Sequence, residues 1–360
     1  MNTNRQQGLS LIELMIGLLL GLLIIAVASG TLQYFDSQRR SSVAGNASSN
    51  AGVLAAYLLQ RDVQNAGIGL MNTTQLACTQ LNLYAQGVVR ANGAALAPVS
   101  VVDGGAQGSD SATVFFAGSV LGAAPVQLTR GLMNASDKLY VNNTSGFTVG
   151  DVVVLADSNV DNPCTVAQIS AMTAVGTNEF ALSRTSNGTY PFNAPNPATS
   201  FAKAPLYPEG AVVINTGAAP TWRRYSVQNN QLSVTDLVTG TAVQVADNVV
   251  SLQVQYGVTN GTASAVTRWV SATDEWAAPT AAMITSIRAI RVAVVTRSPR
   301  KEPLVGTDGK CATTAAEPIL WPDSDAPQLD LSGMADWQCY RYQVYRNTMP
   351  LKNLVWSVSQ

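Results

Sequence analysis

The sequence predicts an α+β protein: one long N-terminal α-helix, apolar in its first half and amphipathic in its second, attached to a predominantly antiparallel β head. Three observations lead to this. Between Leu9 and Phe35 the only formal charge is Glu13, and the stretch 14–28 holds nothing but Leu, Met, Ile, Gly, Ala and Val. From Val43 to Leu58 apolar residues recur at spacings of three and four, the helical period. Beyond Gly67 that rhythm stops, and short runs rich in Val, Thr, Tyr and Phe alternate with Gly, Asn, Asp and Pro, as strands alternate with turns.

Residues 1–8 form a short polar leader with one basic side chain, Arg5, and end abruptly at Leu9. Residues 9–35 are the apolar segment. About 22 residues of helix rise roughly 33 Å, enough to cross a hydrocarbon core of about 30 Å. The apolar part of a cleavable signal peptide runs only about 7–15 residues, although Val27-Ala28-Ser29 offers small residues of the kind such cleavage uses. Glu13 is the anomaly. A carboxylate inside an apolar span costs several kcal/mol unless it is neutralised, so it reads as functional. Its natural partner is a positive group on a neighbouring subunit, such as an amino terminus freed by cleavage just upstream. Gly17 and Gly21 make a small-residue notch at which apolar helices can approach each other. Gly30 weakens the helix by roughly 1 kcal/mol relative to alanine, which makes it the expected place for local bending.

Residues 36–66 continue as an amphipathic helix. Val43, Ala47, Ala51, Leu54 and Leu58 make the face expected to pack, while Arg39, Arg40, Arg61 and Asp62 are expected in solvent. From Leu9 to about Leu59 such a helix is roughly 75 Å long.

Residues 67–360 are the β-rich head, in one unit or two. Strands are expected at Ala112–Ala117, Lys138–Asn142, Asp151–Leu155, Thr165–Ser170, Phe180–Ser183 and Ala211–Asn215. Six more are expected at Arg223–Gln228, Gln231–Thr235, Ala242–Ala246, Val250–Gly257, Ala265–Val270 and Ile287–Thr296. Asn229-Asn230 and Asn260-Gly261 tolerate the positive φ of tight hairpin turns.

Composition narrows the chemistry. The 21 basic and 22 acidic residues nearly cancel, so no field of either sign points to nucleic acid, and none is expected as a partner. Histidine is absent, which removes the side chain best suited to proton transfer at neutral pH and the commonest imidazole metal ligand. The chain carries no phosphate-binding loop, serine-hydrolase elbow or H-E-x-x-H. No enzymatic activity, cofactor or metal is expected. Residues 157–162, Asp-Ser-Asn-Val-Asp-Asn, resemble the start of a calcium loop. However, Asn162 replaces its glycine, Pro163 and Cys164 interrupt it, and Gln168 stands where the closing acid belongs, so a polar turn is the reading. Asp323-Ser324-Asp325 is read the same way. Trp321, Trp337, Tyr340, Tyr342, Tyr345 and Trp356 are read mostly as core. Cys78, Cys164, Cys311 and Cys339 show no C-x-x-C spacing and fit two disulfides in an oxidising compartment.

Residues 7–16, Gln-Gly-Leu-Ser-Leu-Ile-Glu-Leu-Met-Ile, resemble the class III signal of type IV prepilins and of type II secretion pseudopilins. The resemblance implies cleavage between Gly8 and Leu9 by a prepilin peptidase, methylation of the new amino terminus at Leu9, and a role for Glu13, fifth in the mature chain, in subunit assembly. Leu9 stands where phenylalanine is commoner, and Gly30 lies where many major pilins have proline. Further segments, 61–67 at the helix exit, 149–154, 250–257, 287–294 and Pro350-Leu351-Lys352-Asn353, are similar to PilW-type minor pilins.

That family implies a type IV pilin-like fold and a subunit acting in pilus assembly or initiation, at or near the tip, in support of adhesion, twitching motility or DNA uptake. Its implied partners are other minor and major pilins, prepilin peptidase and the inner-membrane assembly platform. The implied location is the inner membrane, with a periplasmic head, before assembly and the cell surface after it. A minor pseudopilin of a type II secretion system, or a pilus-presented adhesin or ligand-binding module, are the alternatives. Four cysteines can pair in three ways. The favoured set is Cys311 with Cys339, closing a C-terminal loop as pilins commonly do, and Cys78 with Cys164. In the loop-entropy model the C-terminal bridge contributes about 3.5 kcal/mol.

Overall fold

Residues Leu11–Asn65 form one 55-residue α-helix, α1, about 80 Å long. The computed structural model describes residues 11–72, 75–76, 78–117, 124–157, 159, 162–217, 219–260, 265–302, 311, 313–322 and 328–354. The helix is continuous through Gly30, where glycine retains its N–H donor. It ends where Gly67 and Gly69 both take positive φ, +84° and +76°. At this exit the Gly67 N–H donates to Phe115 O and the Ala117 N–H to Ile68 O, fastening the chain to the end of the strand Ser111–Phe116. A methyl group on Gly69 would lie 2.1 Å from Ala117 O, so only glycine fits there.

Two antiparallel sheets meet the second half of α1. The first orders its strands Arg268–Val270, Val249–Val258, Ile287–Arg297 and Tyr342–Pro350. The second runs Thr241–Asp247, Gln231–Asp236, Thr221–Gln228, Ser111–Phe116 and Val99–Val102. Ala55, Leu59, Val63 and Ala66 of the helix share one core with residues of both sheets, among them Val101, Val114, Tyr225, Leu252, Tyr256 and Val292. The two central strands of the first sheet are buried almost throughout, because Ala293 and Val295 face a separate core of Leu320, Trp321, Leu329 and Leu331. This double covering explains their nearly continuous apolar sequences.

The rest of the head holds a two-stranded ribbon of Met71–Asn72 and Gln75–Leu76, a six-stranded sheet, in the order Val88–Ala95, Gln80–Ala85, Cys164–Gln168, Val152–Ala156, Val212–Gly217 and Val126–Gln127, and a three-stranded sheet of Ala171–Gly176, Glu179–Ser183 and Leu139–Val141. Pairing is antiparallel except between Gln80–Ala85 and Cys164–Gln168. All twelve expected strands are present, though Ala265–Val270 is shortened to Arg268–Val270. Asn229 and Asn230, with φ of 53° and 58°, make the expected hairpin turn between Gln228 and Gln231. Gly261 lies outside the described residues.

Asp110, at the base of the hairpin between Val99–Val102 and Ser111–Phe116, fastens the two helix-bearing sheets together. Its carboxylate accepts the Gly104 N–H at 2.9 Å and the Val254 N–H at 2.7 Å, and its own N–H donates to Leu252 O. Burial pushes its pKa up to about 6; the two N–H donors oppose that shift and Asp103 adds to it. An acid whose pKa is higher folded than unfolded loses stability as pH rises between the two values, here by about 2 kcal/mol from pH 4 to pH 6. Asp110→Asn removes an acceptor and lacks this titration, so its destabilisation is expected to be larger at pH 4 than at pH 7.5. Urea unfolding of wild type and variant at both pH values checks this, and an equal penalty would contradict it.

Candidate functional site: the anchor helix and its seat

The residues Leu11–Leu32 have a mean hydropathy of 2.8 and none of them is buried. The exposed side chains lie on every face, from Leu11 and Ile12 through Leu18, Leu19 and Leu20 to Ile24 and Ile25. A helix that is apolar all round belongs in lipid or among other helices, and this one is long enough to cross a membrane. Its few polar side chains suit such a place: Ser29 Oγ donates to Ile25 O at 2.7 Å and Thr31 Oγ1 to Ala28 O at 2.9 Å, so both hydroxyls are satisfied within the helix. Glu13 lies in the first turn, where a carboxylate complements the helix dipole. Gly17 and Gly21 open onto empty space. Gly8 and Leu9 lie outside the described residues.

The second half of α1 is seated by a face one residue out of phase with the expected one. Ser48, Gly52, Ala55, Leu59, Val63 and Ala66 are buried, Ala51 and Leu58 are partly buried, and Leu54 is 44% exposed. The side chains of Val43 and Ala47 lie outside the described residues. The physical reason is the smallness of Ser48, Gly52 and Ala55, which lets the strand Tyr342–Pro350 approach the helix closely. A methyl group on Gly52 would sit 2.1 Å from the Tyr345 ring.

The larger correction concerns Asp62, which is 1% exposed instead of solvated. It accepts from Tyr225 Oη at 2.7 Å, from Arg223 Nη1 at 3.0 Å and from Arg61 Nη2 at 3.0 Å. Arg223 and Tyr225 alternate along one strand and so lie on the same face, aimed at the helix. Burial and the adjacent carboxylate push the Tyr225 phenol far up, so it stays a donor. For Arg223, burial opposes the charge, but the hydrogen bond and the Asp62 carboxylate prevail and its pKa is raised. The seat's rim is also hydrogen-bonded: Ser48 Oγ donates to Thr296 Oγ1 at 2.7 Å, Asn347 Nδ2 to Gln60 Oε1 at 2.8 Å, and Asn353 Nδ2 to Ala66 O at 2.9 Å. Asn353 thereby satisfies one of the carbonyls a helix end leaves open.

Residues 3–29 match the family model of the prokaryotic N-terminal methylation motif, and residues 212–353 match that of type IV pilus-assembly protein W. The second match begins with the strand Val212–Gly217, includes Arg223 and Tyr225, and ends at Asn353. The two matches together are those of a PilW-type pilin, one on the N-terminal signal and one on the C-terminal part of the head. No curated protein and no solved structure matches it. The methylation motif overlaps the bare apolar stretch of α1, and the two together point to a membrane-anchored pilin with that stretch as its anchor.

Elsewhere in the head, Cys78 is bonded to Cys164 and Cys311 to Cys339. The first bridge spans 86 residues and lies beside the parallel strand pair, and in the loop-entropy model it contributes about 4.6 kcal/mol. In the polar turn after Ala156, Asn162 Nδ2 donates to Asp157 and to Leu206 O, while Ser158, Val160 and Asp161 lie outside the described residues, as do Asp323-Ser324-Asp325. Among the described residues no cluster of acids and cysteines could hold a metal ion. Of the C-terminal aromatic residues, Trp321 is buried, Trp337 and Tyr342 pack against its core, Tyr345 packs on the helix core, and Tyr340 lies under Arg297. Trp356 lies outside the described residues.

The seat could have been sought in the sequence. Asp62 falls in phase with Ala55, Leu59 and Ala66, and an acid at a core position calls for a buried partner. Asp62→Ala leaves a cation and a phenol without their acceptor and is expected to destabilise the protein by about 3–5 kcal/mol. Tyr225→Phe removes one hydrogen bond to a charge and is expected to cost about 1.5–3 kcal/mol. Urea unfolding of the detergent-solubilised full chain measures both, and an Asp62→Ala variant as stable as wild type would contradict the buried seat.

Proposed function

We propose that this pilin is a minor subunit of a type IV pilus, cut by prepilin peptidase after Gly8, methylated on Leu9, and active through assembly without catalysis of its own. The observation that carries the reading is the bare apolar helix with one carboxylate in its first turn, held to the head only by its second half. In the inner membrane, lipid covers that helix. In a filament, the corresponding helices of other pilins cover it.

The transfer needs a compensating charge, because Glu13 leaves the lipid–water boundary for an apolar bundle. The amino group of a neighbouring Leu9 would supply that charge, and the Gly17/Gly21 notch would let a neighbouring helix come close. The head would face the periplasm and contact major and minor pilins near the tip, with the assembly platform acting on the membrane-held form. The match to a pilus-assembly family favours a pilus over a secretion pseudopilus.

Glu13→Gln keeps the size and removes the charge. The variant is expected to insert in the membrane and to be processed like wild type, but to fall to a small fraction of the wild-type level in sheared pili, as judged by immunoblot of membrane and pilus fractions. Wild-type incorporation would overturn the assembly role of Glu13.

A further inference from the structure

Far from the helix seat, a cavity of about 310 Å³ opens between the six-stranded and three-stranded sheets. Its walls are mainly polar, with hydroxyls from Ser136 and Ser183, while Phe192 and Phe201 make an apolar side. Two cations line it, Arg184 and Lys138, and none of its lining residues is an acid.

Arg184 is held in place by one end only. Its Nη2 donates to Ala135 O and Asp137 O. Its Nε is enclosed and has no hydrogen-bond partner, and no carboxylate lies within ion-pair distance of it among the described residues. Asp137 is the acid whose charge reaches it, and that carboxylate accepts the Asn134 N–H at 2.7 Å. Burial drives the Arg184 pKa down to about 10, still charged at neutral pH. Lys138 is exposed and makes no hydrogen bond or ion pair among the described residues. Both side chains are set by strands paired across the three-stranded sheet: Lys138 immediately precedes Leu139–Val141 and Arg184 immediately follows Glu179–Ser183.

A part-buried guanidinium without a carboxylate is costly unless something anionic arrives. Planar guanidinium beside ammonium is the pairing that recognises carboxylate or phosphate. The volume fits one sugar-sized or amino-acid-sized molecule. We propose that this cavity binds a small organic anion, with Arg184 and Lys138 taking its charged group and Phe192 and Phe201 its apolar part. The proposal does not depend on how the anchor is processed, since it concerns the head alone.

The full-length pilin in detergent would be titrated by calorimetry at pH 7 with glucuronate, glucose and inorganic phosphate. Wild type is expected to bind glucuronate and not glucose, and Lys138→Ala is expected to weaken the affinity about tenfold without changing the melting temperature. Arg184→Gln is expected to abolish binding. Should that variant not fold, Lys138→Ala decides the question. Equal binding of phosphate would identify the charged group alone as the determinant and place the ligand among phosphates as well as carboxylates. Absence of binding by either anion at millimolar concentration, or an affinity unchanged in Lys138→Ala, would overturn the proposal.

Discussion

The carboxylate of Asp62, buried at the junction of helix and head, is the interaction on which the rest of the architecture depends. A helix whose first half is bare and apolar can be held by its protein only from the other end, and there Ser48, Gly52 and Ala55 give a close approach while Leu59, Val63 and Ala66 enter the shared core. Small residues bring the helix close to the strand Tyr342–Pro350, but they bury little area. Asp62 compensates with direction. Tyr225 and Arg223 reach it from one face of one strand, so the helix is fixed in rotation as well as in depth. Burying a charge in this way is expensive, and the arrangement holds only with all its donors present.

Direction at the seat matters for the anchor. On the proposed reading, Glu13 must meet a neighbour's amino terminus while the head meets a neighbour's head, and both contacts lie on one rod. Nearly fifty residues separate Glu13 from Asp62, about 74 Å of helix, so a small rotation at the seat becomes a displacement of many ångströms at the tip of the anchor. The hydrogen bonds from Asn347 and Asn353 belong to the same constraint: the strand Tyr342–Pro350 lies along the helix, and Asn353, three residues beyond it, closes the helix exit.

Much of this was legible in sequence where the physics is local. The apolar run, its single acid, the β character of the head and twelve of its strands follow from periodicity and turn residues. Other strands, Gln80–Ala85, Val99–Val102 and Ala171–Gly176 among them, were not expected, and two show why: Val88–Ala95 carries Asn92 and Gly93, and Tyr342–Pro350 alternates without an apolar face because one side of it lies on the small residues of α1. The helix face was displaced by one position because Leu54 and Leu58 outweigh Gly52 and Ser48 in any count of apolar residues, whereas close approach favours the smaller ones. Asp62 was placed in solvent because its acceptor role depends on Arg223 and Tyr225, some 160 residues away. Arg184 and Lys138 likewise meet only after the strands around them have paired. Three cysteine pairings were open, and the fold contains one of them.

On the proposed reading the leader is removed and the apolar helix is kept, with its acid near the new end. Intact-mass and N-terminal peptide mass spectrometry of the protein recovered from membranes measures this directly. The expected result is a chain beginning at N-methylated Leu9 and running on through Glu13. A chain that begins beyond residue 28, or that retains Met1, would contradict it.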